Sequence, residues 1–104
     1  MFILLVASKE SLETLHDIIG LSKTFSESGH KVVVFLNEES VNLIENKRYE
    51  LSMLPNDIIL KVCRTSVNRK GITSFKKLSI SPELSSLGEL VDLMEEADRI
   101  VFLR

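Results

Sequence analysis

The stretch Phe2-Ile-Leu-Leu-Val-Ala7 decides the fold class, because it is apolar at every position and runs into the polar segment Ser8-Lys-Glu-Ser11. A strand with one solvated face alternates apolar and polar side chains, whereas a strand covered on both faces is apolar throughout. Ser8 and Ser11 are both candidate N-caps for a helix that follows. The opening therefore predicts a buried parallel strand that leads into a helix.

The same alternation of strand and helix continues along the chain. Apolar residues at helical spacing predict a first helix that ends at Gly29. Two further apolar runs predict buried strands at Val32–Leu36 and Ile58–Val62, and the second of these runs directly into Cys63. A last buried strand is predicted at Ile100–Leu103. Strands that alternate with helices favour right-handed crossovers and a parallel sheet with helices on both faces.

The elements between the third and last strands are less regular. Thr65–Lys70 is predicted to form a short helix closed by Gly71, and Lys77–Ile80 is a candidate fourth strand. The final helix has two candidate starts, at Ser81-Pro82-Glu83 and at Ser86-Leu-Gly-Glu89, of which the second has capping-box spacing. We expect one three-layer α/β/α domain over residues 1–104, with a mainly parallel five-stranded sheet of flavodoxin-like shape.

Composition limits the classes of function. Of the 104 residues, 44% are apolar and 27% are charged, with a net charge of −2, so neither nucleic acid nor an anionic membrane is favoured as a partner. The apolar opening is too short to span a bilayer and lacks a preceding basic stretch. The single cysteine cannot form an internal disulfide, which favours a reducing cytoplasmic location. A core this small favours oligomerisation.

Three polar residues follow the first three strands, namely Ser8, Asn37 and Cys63. Chemistry in open α/β sheets takes place beyond the carboxyl ends of the strands, so these residues are expected to share one edge. Cys63 is the sharpest candidate, because a thiol before a helix can feel the positive end of the helix dipole, which favours the thiolate. The alternative is that Cys63 is a small core residue, as buried cysteines often are.

The surroundings of Cys63 in the sequence are basic. No Asp or Glu occurs between Ile58 and Pro82, and the cations of that segment are Lys61, Arg64, Arg69, Lys70, Lys76 and Lys77. We predict that Arg64, Arg69 and Lys70 bind an anionic substrate or a partner's carboxylate. The segment is equally compatible with a solvated basic face.

Other chemistries have weaker support. His16 and His30 have no close spacing with Cys63, so a zinc site is not predicted. The segment after the first strand contains no glycine, which argues against a phosphate-binding loop for a nucleotide or flavin. No cofactor is therefore expected.

The segment Ile59-Leu-Lys-Val-Cys63-Arg-Thr-Ser-Val-Asn-Arg69-Lys-Gly71-Ile72 resembles the DsrE/TusD-type sulfur-relay family, in which an apolar strand ends in Cys and a basic residue and Gly lie one helix further on. The ending, Leu87 to Phe102, is similar to that of the family, where a helix leads through an Ala-Asp step into the last strand. The resemblance covers nearly the whole chain and implies a DsrE-like domain.

By this resemblance, Cys63 accepts sulfur as a persulfide and passes it to a thiol of a partner protein, which implies sulfur-donor and sulfur-acceptor proteins as partners. The resemblance also implies a homo-oligomer, either a trimer or a hexamer. The helix after Cys63 is more polar here than is usual in the family, and the lone cysteine leaves no resolving thiol in the same chain. Two alternatives stay open: a non-catalytic scaffold or regulatory subunit of the same fold, and a flavodoxin-like domain that binds a small molecule.

Overall fold

A computed structural model describes residues 1–73 and 81–103 of the chain. Its centre is a five-stranded sheet in which every strand pair is parallel, with the strand order β4-β3-β2-β1-β5. The strands are β1 (Phe2–Ala7), β2 (Lys31–Leu36), β3 (Ile59–Cys63), β4 (Glu83–Ser85) and β5 (Arg99–Leu103). The predicted parallel α/β sheet is therefore confirmed.

The helices occupy the connections between strands. They are α1 (Leu12–Glu27), α2 (Leu43–Asn46), α3 (Arg48–Leu51), α4 (Arg64–Lys70) and α5 (Leu87–Glu96), and a 3₁₀ turn over Glu38–Asn42 precedes α2. Within residues 1–73 and 81–103, no helix is long and apolar enough to cross a bilayer.

The two faces of the sheet are covered unequally. Among residues 1–73 and 81–103, the larger apolar cluster has nineteen buried residues and lies between the sheet and helices α1 to α4. The smaller cluster has six buried residues in the same ranges, to which α5 contributes Leu90. The strand order explains this division. The chain steps in one direction from β1 to β4 and then returns to β5, and right-handed crossovers in opposite directions place their helices on opposite faces.

Helix ends follow local chemistry at three places. Ser11 is the N-cap of α1, and its hydroxyl accepts a hydrogen bond from the Thr14 N–H at 3.0 Å. Gly29 and Gly71 follow α1 and α4 with φ of 83° and 69°, the left-handed conformation that glycine adopts without a steric penalty. The predicted ends at both glycines are confirmed, and of the two candidate caps Ser11 is the one used.

The prediction for the approach to the last helix was wrong in one respect. Ser81-Pro82-Glu83 does not start a helix, because Glu83–Ser85 pair with β3 as the edge strand β4. The helix begins at the second candidate, where the Ser86 hydroxyl accepts a hydrogen bond from the Glu89 N–H at 3.0 Å. Ser-Pro-Glu is a local signal, whereas strand pairing is a tertiary interaction that overrides it. The candidate strand Lys77–Ile80 lies outside the described residues.

The burial of the interior strand β1 leads to a quantitative prediction about stability. Leu5 lies in β1 and is fully buried, whereas Leu12 lies on α1 and is exposed. We expect Leu5→Ala to lower the free energy of unfolding by about 2 to 5 kcal/mol, because it removes buried methyl groups and leaves a cavity. Leu12→Ala is the matched control, with an expected change within about 0.5 kcal/mol. Urea denaturation followed by circular dichroism measures both, and similar losses for the two variants would contradict the assignment of the core.

Candidate functional site around Cys63

Cys63 is the last residue of β3 and the residue directly before α4. Its backbone is extended, with φ of −67° and ψ of 119°, and its side chain makes no capping hydrogen bond to α4. The thiol is free, and the residue is only 2% exposed. It belongs to the smaller apolar cluster together with Phe35 of β2 and Leu90 of α5. In the isolated chain, the thiol therefore lies at the carboxyl edge of the sheet but beneath its surface.

Strand register places polar residues on the same face as this thiol. Cys63 is paired with Ser85, and Lys61 is paired with Glu83. Side chains two residues apart on a strand point to the same face, so all four side chains belong to the face covered by α5. A polar group therefore lies beside the apolar surroundings of Cys63.

The centre of that group is the carboxylate of Glu89, in the first turn of α5. Its Oε1 lies 2.7 Å from Lys61 Nζ and accepts a hydrogen bond from the Ser85 hydroxyl at 2.6 Å. The Lys61 side chain is only 15% exposed, and its ammonium also lies 3.9 Å from a Glu83 oxygen. We call Lys61, Ser85 and Glu89 the Glu89 cluster.

The Glu89 cluster favours the ionised carboxylate. The hydrogen bond from Lys61 lowers the pKa of Glu89 below its ordinary value, and the hydrogen bond from Ser85 adds to that effect. Partial burial acts in the opposite direction but is the weaker influence. Glu89 is therefore an anion at neutral pH that holds a cation and a hydroxyl beside β3.

The carboxyl edge of the sheet is held together by a second polar network. The Asn37 N–H donates to the Ala7 carbonyl at 2.9 Å, and the Ser66 hydroxyl donates to Asn37 Oδ1 at 3.2 Å. The Ser40 hydroxyl donates to the Ala7 carbonyl at 2.8 Å, and the Ser40 N–H donates to the Ser8 carbonyl at 3.1 Å. As expected, Ser8 and Asn37 share one edge with Cys63, but their hydrogen bonds join the loops to one another.

The predicted anion-binding residues differ in their surroundings. Arg64 is exposed, and no ion pair of Arg64 with another described residue is found. An Nη1 atom of Arg69 lies 3.7 Å from a Glu38 carboxylate oxygen, and Lys70 Nζ lies 2.7 Å from Glu39 Oε1. The segment that lacks acids in the sequence is thus partly neutralised in space by the turn after β2. The roles predicted for Arg64, Arg69 and Lys70 stay predictions.

The histidines lie in two different settings. His16 is exposed on α1. His30 Nδ1 lies 3.1 Å from the amino group of Met1, at the amino end of β1 and therefore at the sheet edge opposite to that of Cys63. Within residues 1–73 and 81–103, no three His, Cys, Asp or Glu side chains are grouped so that they could hold a metal ion.

Two features of the site differ in whether the local sequence signals them. Asn37 and Ser40 form a capping box, and their three-residue spacing was a usable signal for it. The Glu89 cluster has no such signal. Ser86 and Glu89 do have capping-box spacing, but the Glu89 side chain binds Lys61 and Ser85, which are brought to it by the β3–β4 pairing.

The sequence and the fold both point to one family. A sequence profile of the DsrE/DsrF-like family matches residues 2–103, which is nearly the entire chain. The chain belongs to the DsrE/DsrF-like family. Proteins of this family are associated with sulfur relay, in which they act with partner proteins. The resemblance predicted from the segment around Cys63 and from the C-terminal helix and strand is therefore confirmed.

A solved structure supports the same assignment of fold. The crystal structure of the ychN protein from E. coli is similar to this chain with a TM-score of 0.74 at 19% sequence identity. The similarity covers 98% of this chain and 97% of that protein. At this identity it shows the shared fold, which confirms the predicted DsrE-like architecture. No curated protein matches the sequence.

The lowered pKa of Glu89 makes a prediction about stability and pH. A carboxyl group whose pKa is lower in the folded state stabilises the fold above its unfolded pKa, and this contribution is lost as the pH falls through the folded value. We expect Glu89→Gln to cost about 0.5 to 1 kcal/mol at pH 7, since the pair is partly exposed, and to cost nothing once Glu89 is protonated in acid.

Urea denaturation at pH 7 and at about pH 3 measures this difference. Glu95→Gln, an exposed position on the same helix, is the matched control and is expected to have little effect at either pH. A cost of Glu89→Gln that is the same at both pH values would contradict an ionic role for Glu89.

Proposed function

We propose that this protein is a cytoplasmic sulfur-carrier subunit that accepts sulfur as a persulfide on Cys63 and passes it to a thiol of a partner protein. Membership of a family associated with sulfur relay supports this proposal. The observation that carries it is the position of the chain's one cysteine at the carboxyl end of an interior parallel strand. Chemistry in open α/β sheets is concentrated at that edge.

The proposed transfer needs no external oxidant or reductant. The Cys63 thiolate attacks the outer sulfur of a donor persulfide, so that a Cys63 S–S bond forms while the S–S bond of the donor breaks. The donor leaves as a thiolate and takes up a proton. An acceptor thiolate then attacks the outer sulfur on Cys63, and the Cys63 thiolate is released. Since the chain has a single cysteine, the acceptor is on another molecule.

The cations near the site have distinct proposed roles. Arg64 adjoins Cys63 in the sequence and is exposed, so it is the cation best placed to attract an anionic donor. Arg69 and Lys70 bind an anionic donor or a partner's carboxylate by exchanging their present partners, Glu38 and Glu39. Such an exchange replaces one carboxylate with another and therefore costs little electrostatic energy.

We further propose that the protein is a homo-oligomer, either a trimer or a hexamer. The face covered by α5 has the smaller apolar cluster, and large apolar side chains on it remain exposed. Leu87 and Val91 are 53% and 54% exposed and lie one turn apart on α5, and Phe102 of β5 is 60% exposed. A second copy of the chain that packs here would bury these side chains.

A second candidate function is supported by one observation. Cys63 is 2% exposed, which is the burial expected of a core residue in a non-catalytic scaffold or regulatory subunit. In that case the thiol reacts slowly with small electrophiles, and Cys63→Ala assembles normally. The sulfur-carrier function requires instead that the thiol becomes accessible to a donor.

The persulfide is tested by direct detection. We expect incubation with a persulfide donor to add one sulfur atom (about 32 Da) to the wild-type protein, measured as an intact mass and reversed by dithiothreitol. Cys63→Ser is the control, and we expect it to gain no mass. A wild-type protein that gains no sulfur, or a Cys63→Ser variant that gains as much sulfur as the wild type, would contradict the sulfur-carrier function. The scaffold or regulatory subunit would then be the supported function.

The oligomer is tested by size-exclusion chromatography with light scattering. We expect the mass of three or six chains for the wild type, and a smaller species for Val91→Lys, because a buried lysine in an interface costs free energy when it is not paired. Leu12→Lys, which places the same charge on exposed α1, is the matched control and is expected to assemble fully. A monomeric wild type would contradict the homo-oligomer.

A further inference from the structure

Within the described residues, α5 is the helix that packs on the face containing Cys63. It begins directly after β4, and Ser85, the last residue of β4, is paired with Cys63. The first turn of α5 therefore starts close to Cys63, at the carboxyl end of β3. Leu90, in this turn, belongs to the same apolar cluster as Cys63, so the turn helps to cover the thiol on this face.

Within a single chain, apolar packing anchors this turn only weakly. Leu90 is the one buried residue of α5, at 9% exposed, while Leu87 and Val91 in the same half of the helix are more than half exposed. The preceding strand, β4, is a three-residue edge strand. Since the free energy of burial scales with the apolar area removed from water, this part of the fold gains less from burial than α1 does.

Polar contacts supply the remaining anchorage. Glu89 Oε1 receives both the Lys61 ammonium and the Ser85 hydroxyl, at 2.7 and 2.6 Å. These contacts join the first turn of α5 to β3, which contains Cys63, and to β4, which contains its paired residue Ser85. Because the Lys61 side chain is largely shielded from water, its pairing with Glu89 is screened less than that of a surface pair.

We propose that Lys61, Ser85 and Glu89 form a latch that holds the first turn of α5 over Cys63, and that its release exposes the thiol while the rest of the sheet stays folded. Local opening of a weakly anchored element costs less free energy than global unfolding. The inference rests on the proposed function only in that the exposed thiol then accepts and donates sulfur. Cys63 is then buried in the closed form of the protein and carries sulfur in the open form.

The latch is tested by the rate at which iodoacetamide alkylates Cys63 in the folded protein, followed by intact mass. Each variant is also made in the Val91→Lys background, so that packing of a second copy on α5 does not set the rate. We expect Glu89→Gln to accelerate alkylation about fivefold, and Ser85→Ala to accelerate it about threefold, because each removes a hydrogen bond that involves the carboxylate. Ser85→Ala changes no charge, so its acceleration does not come from altered ionisation of the thiol. Glu95→Gln is the charge-matched control and is expected to stay within twofold of the wild type.

The dependence on urea separates local opening from unfolding. We expect the rates to change little at low urea concentration, because the opening exposes little surface. Equal rates for Glu89→Gln and Glu95→Gln would overturn the latch. So would an acceleration that follows the global unfolding of each variant across all urea concentrations. If Glu89→Gln does not fold, the comparison of Ser85→Ala with the wild type decides in the same way.

Alkylation needs no sulfur donor, so the two proposals can fail separately. A latch variant that is alkylated faster but never gains sulfur would retain the latch and remove the sulfur-carrier function. A wild-type protein that gains sulfur, with alkylation rates that are insensitive to the Glu89 cluster, would retain the function and remove the latch.

Discussion

The parallel pairing of β1 with β2 is the constraint on which the rest of this structure depends. Both strands are apolar on both faces, so each face must be covered, and each return to a parallel strand requires a crossover. The crossovers supply the covering helices. They also bring the chain out of the sheet at the same edge each time, which is why Ser8, Asn37 and Cys63 lie at one edge although they are far apart in the sequence.

The single reversal in strand order has a further consequence. It puts helices α1 to α4 on one face and α5 on the other, so among the described residues the two apolar clusters differ about threefold in their number of buried residues. Cys63 lies in the smaller cluster, where part of the anchorage is polar. A charged pair holds elements together less firmly than a large apolar interface, since water can replace it at little cost. The fold thus places its thiol under the less strongly anchored of its two layers.

Charge in this protein is arranged by the fold more than by the sequence. The basic segment around Cys63 contains no acid, yet Lys61, Arg69 and Lys70 meet carboxylates of other elements, namely Glu38, Glu39, Glu83 and Glu89. The local electrostatic field at the thiol therefore depends on these pairs. Arg64 is the cation of α4 whose charge is not offset by a described carboxylate, which makes it the most direct electrostatic aid to an anionic donor.

Local signals predicted much of this protein. Continuous apolar runs identified β1, β2 and β5, because a strand buried on both faces is apolar throughout. The apolar residues on both sides of Lys61 identified β3. Ser11, Gly29 and Gly71 marked helix ends through backbone chemistry that acts within a few residues. The family also followed from residues near Cys63 that are contiguous in the sequence.

Only the tertiary structure decided the rest. Ser81-Pro82-Glu83 has the local sequence of a helix start, but Glu83–Ser85 form a strand because β3 offers an unpaired edge. The burial of Cys63 depends on which face of β3 its side chain occupies and on where α5 crosses the sheet. The Lys61–Glu89 pair likewise exists only because the β3–β4 register brings them together. By itself, the sequence determined the elements, their caps and the family; side-chain proximity between distant elements required the fold, because no local interaction encodes it.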